Sequence, residues 1–150
     1  MNLFGIMEVS GSALKAERIR AQVVAANMAN AETTRTAAGG PYRRQHVVFA
    51  AAQGSQPSFA SQLISQPAFA SGSPSGGVEV TAVVEDATSN LRRYDPGHPD
   101  ADKDGYVAFP DINPLTEMVD LMGATRAYGL NSSAVQATKS MINASLEILK

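Results

Sequence analysis

The chain has 150 residues, with 12 Lys and Arg against 14 Asp and Glu, no cysteine and no tryptophan. That length suits one domain, and 44% hydrophobic but only 6% aromatic residues permit a modest core. A net charge of -2 leaves no electrostatic footprint for nucleic acid, and the missing thiols exclude disulfides, thiolate metal sites and cysteine nucleophiles.

The first predicted element is a helix. Val9, Ala13, Ala16, Ile19, Val23 and Ala26 recur every three or four residues, while Glu8, Lys15, Arg18 and Gln22 fall on the opposite side. Arg43-Arg44, and later Arg92-Arg93, are too short to form basic patches and read as solvated loop charges. Short strands are expected at Val47-Val48-Phe49, along Val78, Val80, Ala82 and Val84, and at Tyr106-Val107-Ala108-Phe109. Between the first two, residues 50–77 are almost entirely Ala, Ser, Gln, Gly and Pro and carry no charge. This composition predicts a long loop or a disordered insertion, because it buries too little surface to offset the entropy of ordering.

Asp100, Asp102, Asp104, Gly105 and Asp111 nearly spell a calcium loop of the EF-hand type, which makes a calcium-binding module the alternative functional reading. The flanks oppose it. Asp95-Pro96-Gly97-His98-Pro99 blocks an entering helix and Pro110 interrupts the leaving one, so the segment reads as a polar turn. The last element is a long helix starting at Pro114, with Asn113 as its cap and Glu117 and Asp120 near the positive end of its dipole. Leu130, Ala134, Ala137, Met141, Ala144 and Ile148 step along it by fours and threes, the rhythm of a coiled-coil seam. Both helical stripes are rich in Ala, so each buries little area per residue and needs further neighbours.

Nothing points to catalysis. His46 and His98 stand apart without a recurring carboxylate spacing, and no nucleophile elbow, dinucleotide fingerprint or phosphate loop is present. No catalytic, cofactor-binding or metal-ligating residue is therefore assigned. No stretch approaches the ~20 apolar residues of a membrane span, and Met1-Asn2-Leu3-Phe4-Gly5 lacks the basic start and apolar run of a secretory signal.

The segment Ala26-Asn27-Met28-Ala29-Asn30-Ala31, followed by Thr33-Thr34-Arg35 and Gly39-Gly40-Pro41-Tyr42-Arg43-Arg44, resembles the Asn-Leu-Ala-Asn signature closing the first helix of bacterial flagellar rod and hook proteins. The second half continues the likeness through Tyr94 to Asp102, Gly105-Tyr106-Val107, Pro110-Asp111-Ile112, Glu117-Met118-Val119, Arg126-Ala127-Tyr128, Asn131 and Lys139-Ser140-Met141. Together they resemble the FlgC family of flagellar basal-body rod proteins. Met28 stands where Leu is usual, and Gly129 where Gln or Glu is usual.

The resemblance implies a mainly α fold. Its long N- and C-terminal helices pair as an antiparallel coiled coil, residues 1–34 with 112–150, around a small β-rich, irregular middle at 35–111. It implies a non-enzymatic structural subunit of the proximal rod, exported without a cleavable signal by the flagellar type III apparatus and assembled into the shaft that transmits torque across the periplasm; a different flagellar axial or adaptor protein, which would share the terminal helices, is the second alternative. Its partners would be other rod proteins and rod-base or inner-membrane-ring components, with no nucleic acid and no membrane insertion. Asn27, Asn30, Arg126, Tyr128, Asn131, Ala134, Ala137, Met141, Ala144 and Ile148 are the expected subunit-interface residues. The reading that competes for the asparagines is that they end or decorate exposed helices.

Overall fold

The computed structural model describes residues 3–52, 76–87 and 90–148; most of the low-complexity run, with Phe59, Leu63, Ile64 and Phe69, lies outside the described residues. Two helices, α1 (Leu3–Ala29) and α2 (Pro114–Ile148), make up about half of what is described. Between them come β1 (Gln45–Ala51), β2 (Val78–Glu85), β3 (Leu91–Tyr94) and β4 (Tyr106–Phe109).

The start of α2 follows from its first residues. Asn113 Oδ1 accepts from the Leu115 amide at 3.0 Å, the Asn113 carbonyl accepts from Glu117 N at 3.1 Å, and Pro114 occupies the position that needs no N–H. With 35 residues α2 is about 52 Å long at ~1.5 Å per residue. At the other end of the first helix, Asn30 Nδ2 donates to the Ala26 carbonyl at 2.9 Å and its Oδ1 accepts from Thr33 Oγ1, closing α1.

The helices pack on each other through small residues: Ala16 on α1 and Ala124 on α2 are buried to 3% and 1% exposure. The buried line of α2 is Glu117, Ala124 and Thr138, with half-buried Asn131 at the remaining seventh-residue position. This corrects the seam expected from hydropathy. Leu130, Ala137, Met141, Ala144 and Ile148 are exposed, on the side away from α1, and Ala134 lies half-buried at the edge. The seam was hidden because three of its four letters are polar, each with its own hydrogen-bond partner. Thr138 Oγ1 donates to the Ala134 carbonyl and Asn131 Nδ2 to the Ala127 carbonyl, while Glu117 is held by other elements.

β1 and β2 form an antiparallel pair in which Val47 faces Val83 and Phe49 faces Val80, with a register shift between Val48 and Phe49. The ribbon is stitched to α1: Ser12 Oγ donates to the Val9 carbonyl and accepts from Val78 N at 3.0 Å. β1 runs to Ala51, and Ala52 N donates to the Gly77 carbonyl, so the edges of the run expected to be irregular from residue 50 to 77 are regular.

β3 and β4 form a second antiparallel pair, with Tyr94 opposite Tyr106 and Leu91 opposite Phe109. Here the solvated-loop reading of Arg92-Arg93 is corrected. Both sit in β3, where adjacent arginines mask the strand's alternation. The Arg93 guanidinium carbon lies 4.1 Å from the centre of the buried Phe109 ring, and Arg92 reaches Asp102 at 3.1 Å.

The turn joining β3 to β4 places Gly105 at φ +78°, and a Cβ there would lie 2.9 Å from Tyr94 Cε2. Both constraints demand glycine. Gly105→Ala should therefore cost about 1–2 kcal/mol and lower the midpoint of thermal unfolding by several degrees. Circular dichroism melting will test it; an unchanged midpoint would show that the turn relaxes freely.

Candidate functional site

Where α1, β1 and α2 meet, one asparagine side chain satisfies three elements. Asn27 is 1% exposed. Its Nδ2 donates to the Gln45 carbonyl at 2.9 Å and to Glu117 Oε2 at 3.1 Å, while its Oδ1 accepts from Gln45 N at 2.9 Å and from the Tyr42 hydroxyl at 3.2 Å. The amide thus mimics a neighbouring strand, pairing both polar groups of the first residue of β1 from the last turns of α1.

Glu117, also 1% exposed, receives the Arg44 guanidinium: Nε donates to Oε1 at 2.6 Å and Nη2 contacts the same oxygen. Arg44 thereby ceases to be the solvated charge its loop position suggested. Arg20 on α1 links to Asp120 on α2 at 3.4 Å. Going back along α1 from Asn27 to Arg20, the partners on α2 advance from Glu117 to Asp120. Burial first, then the negative charges of Glu85 and Glu117, raises the Tyr42 phenol above its ordinary range, so it stays a neutral donor.

Beside this joint an open cleft of about 320 Å³ has an apolar floor that includes Val23, Val24, Val47 and Phe49, and a charged rim that includes Arg20, Arg44, Glu117 and Asp120. The rim charges are spent on one another, and nothing in the cleft combines a nucleophile with a base.

The acidic turn is also spent internally. Asp102 Oδ1 accepts from Tyr106 N at 3.0 Å and Asp104 N at 2.9 Å, and Oδ2 meets Arg92. Those backbone donors, Tyr106 first, with help from Arg92, hold its carboxyl below the ordinary range against a partial desolvation that opposes them. Asp100 accepts from Thr34 Oγ1 at 2.8 Å and faces Arg35 at 3.7 Å. The Asp100 and Asp102 carboxylates turn to different protein partners, and no three His, Cys, Asp or Glu among the described residues converge as a metal site would require. The polar-turn reading stands and the calcium reading has no support. His46 meets Asp86 at 3.2 Å, and His98 Nδ1 accepts from Asp100 N.

The residues expected at an interface divide by position. Asn27 is enclosed and bonds within its own chain, and Asn30 and Asn131 bond to carbonyls of their own helices. Arg126, Tyr128, Ala137, Met141, Ala144 and Ile148 are exposed on α2. The same helix also exposes Leu115 (73%), Val119 (68%) and Met122 (65%), which the sequence reading passed over. Their three- and four-residue spacing was the available signal, masked by the polar letters beside them.

Removing the Glu117 carboxylate leaves Arg44 only its longer contact with Asp120, at 3.9 Å, so Glu117→Gln should cost up to about 3 kcal/mol. The double change Glu117→Met with Arg44→Met should cost less than either Met single. Urea unfolding of the four proteins decides it, and additive losses would contradict a coupled pair.

Two family models match the chain: flagella basal body rod protein over residues 7–35, and flagellar basal body rod FlgEFG protein C-terminal over residues 103–148. The first covers the Asn27 segment and the second β4 and all of α2. Full-length likeness is broader. A flagellar basal-body rod protein FlgC from Bacillus subtilis is 44% identical, with all of both chains covered. One from Borreliella burgdorferi is 39% identical over all of this chain and 99% of its own, and one from Salmonella typhimurium 37% over 95% and 94%. With an enclosed polar joint, no catalytic constellation among the described residues and identity sustained from end to end, the chain belongs to the FlgC family of flagellar basal-body rod proteins.

Proposed function

We propose that the chain is a non-enzymatic structural subunit of the proximal flagellar rod, assembling with other rod proteins and rod-base components into the shaft that carries torque across the periplasm. The observation that carries this reading is the outer face of α2. Leu115, Val119, Met122, Leu130, Met141 and Ile148 stand 47% to 85% exposed along one side of a ~52 Å helix. Soluble monomers rarely expose contiguous apolar patches beyond a few hundred Å², and a surface this long matches the ~800 Å² that each partner gives to a standard interface.

In this reading α1 and α2 form an antiparallel coiled coil, supported by the opposed order of the Asn27–Glu117 and Arg20–Asp120 links. The helices, within 1–34 and 112–150, are the assembling core, and 35–111 rides on it through Asn27 and Ser12. Arg126, Tyr128, Ala137, Met141, Ala144 and Ile148 meet neighbouring subunits, with Ala134 at the margin. Asn27, Asn30 and Asn131 shape the subunit that is presented. Gly129, whose missing side chain leaves open space in the single chain, admits close approach by a neighbour. Subunits travel through the type III export apparatus, as the family resemblance implies; no helix among the described residues is long and apolar enough to cross a membrane.

Met141→Asp should abolish swimming, because a neighbour packing there would bury an unpartnered carboxylate at a cost of several kcal/mol. Lys139→Asp, on a flank of α2, should swim nearly normally. Soft-agar assays with immunoblots of exported protein check this; equal motility of the two strains would remove the outer face from the assembly.

A further inference from the structure

Among the described residues β2 pairs only with β1 and β3 only with β4, so each of these strands keeps one edge without a strand beside it. The hydrogen bonds at the strand ends show which residues serve those edges. Asp86 N donates to the Arg44 carbonyl one step beyond the Gln45–Glu85 pair, so Ala82 and Val84 bond to β1 while Val83 and Glu85 turn their amides and carbonyls outward. Asp95 N donates to the Gly105 carbonyl one step beyond Tyr94–Tyr106, so Arg92 and Tyr94 turn theirs outward from β3.

The two free edges match in length, spacing and charge. The register shift leaves Thr81 without an opposite residue and bounds the regular edge of β2 at Ala82 and Glu85, the length of the four-residue β3. β2 carries Glu79 and Glu85 and no Lys or Arg; β3 carries Arg92 and Arg93 and no Asp or Glu. Laid antiparallel so that the outward groups exchange hydrogen bonds, Glu85 falls opposite Arg92 and Val83 opposite Tyr94, a charge pair and a β-branched–aromatic pair. A slide of two residues sets Glu85 against Asn90 or Tyr94 and loses the charge pair.

We infer that the free edge of β2 takes β3 of a second copy as an added strand, joining the ribbons of two subunits into one sheet. The inference rests on the rod-subunit reading and adds a contact outside the helices. Within one chain the two ribbons are fastened at separate places: β1 and β2 to α1 through Asn27 and Ser12, and the turn before β4 to Thr34 and Arg35 through Asp100. Pairing with a second copy leaves these fastenings intact, and Arg92 keeps its bond to Asp102 with donors to spare for Glu85. The contact uses different strands on the two partners, so it does not close on itself and propagates along an array.

Because the chain has no cysteine, disulfide trapping between separate molecules reads this pairing. Opposite Cα atoms at such a pair lie ~5.5 Å apart, within disulfide reach. In cells carrying Val83→Cys and Tyr94→Cys on separate copies of the chain, oxidation should give a linked dimer on non-reducing electrophoresis; either variant alone should not. Glu85→Cys and Arg92→Cys on separate copies should do the same, and serve if the first pair disturbs the hairpin. Adding Glu85→Arg to the Val83→Cys copy should lower the yield several-fold, and adding Arg92→Glu to the other copy should restore it. Swimming cells that give no dimer from either pair, or single variants that dimerise as well as the mixture, overturn the added strand. So does a chain carrying both Val83→Cys and Tyr94→Cys that closes the bridge on itself and stays monomeric. Normal swimming by a strain lacking the chain would instead overturn the rod-subunit reading.

Discussion

The fold depends on a polar knot that an apolar core would not require. Asn27, Glu117 and Arg44, with Tyr42 and the backbone of Gln45, tie the end of α1, the start of α2 and the start of β1 at a single place. The described hydrophobic core is slight: Ala16, Val24, Val107, Phe109 and Ala124. Apolar burial among such small side chains is weakly specific, since sliding one alanine face along another changes little area. A buried amide and carboxylate behave differently. In any other register they would be left unpaired, at about 1–3 kcal/mol for the amide and more for the charge. The knot therefore sets the register while the alanines allow the helices to come close.

That arrangement leaves the large apolar residues of α2 facing outward. A helix that buries Glu117, Ala124, half-buried Asn131 and Thr138 against its partner has spent its inner side on polar and small residues, and Leu115, Val119, Met122, Leu130, Met141 and Ile148 are left for other contacts. For an isolated domain this would be a poor use of sequence. For a subunit of an array the inner seam fixes its shape and the outer side supplies the area that holds the array together.

The sequence made both helices readable, because period, cap and Pro114 agree, and it located three of the four strands. It misplaced the inner seam for a physical reason. Hydropathy credits apolar letters, and here the buried letters are Glu, Thr and a half-buried Asn whose polar atoms find partners within their own helix or on a distant loop. No local pattern announces that Arg44 will cross 73 residues of chain to meet Glu117. β3 was missed because Arg92 and Arg93 fill positions where apolar alternation would show, although the stem of Arg93 behaves as an apolar cover for Phe109. The functional class was legible through the Asn27 segment and the Tyr94–Asp111 segment taken together, whereas the joint that Asn27 builds depends on partners distant in sequence.

In the proposed assembly the exposed face of α2 is covered by neighbouring subunits. Ala144 is exposed in the single chain, and a cysteine there would be the only thiol. The direct measurement compares maleimide labelling of Ala144→Cys in the purified subunit with labelling in isolated basal bodies from motile cells. Rapid labelling of the subunit and protection in basal bodies, lifted when they are dissociated, is the result expected; equal labelling rates in both states would contradict the account.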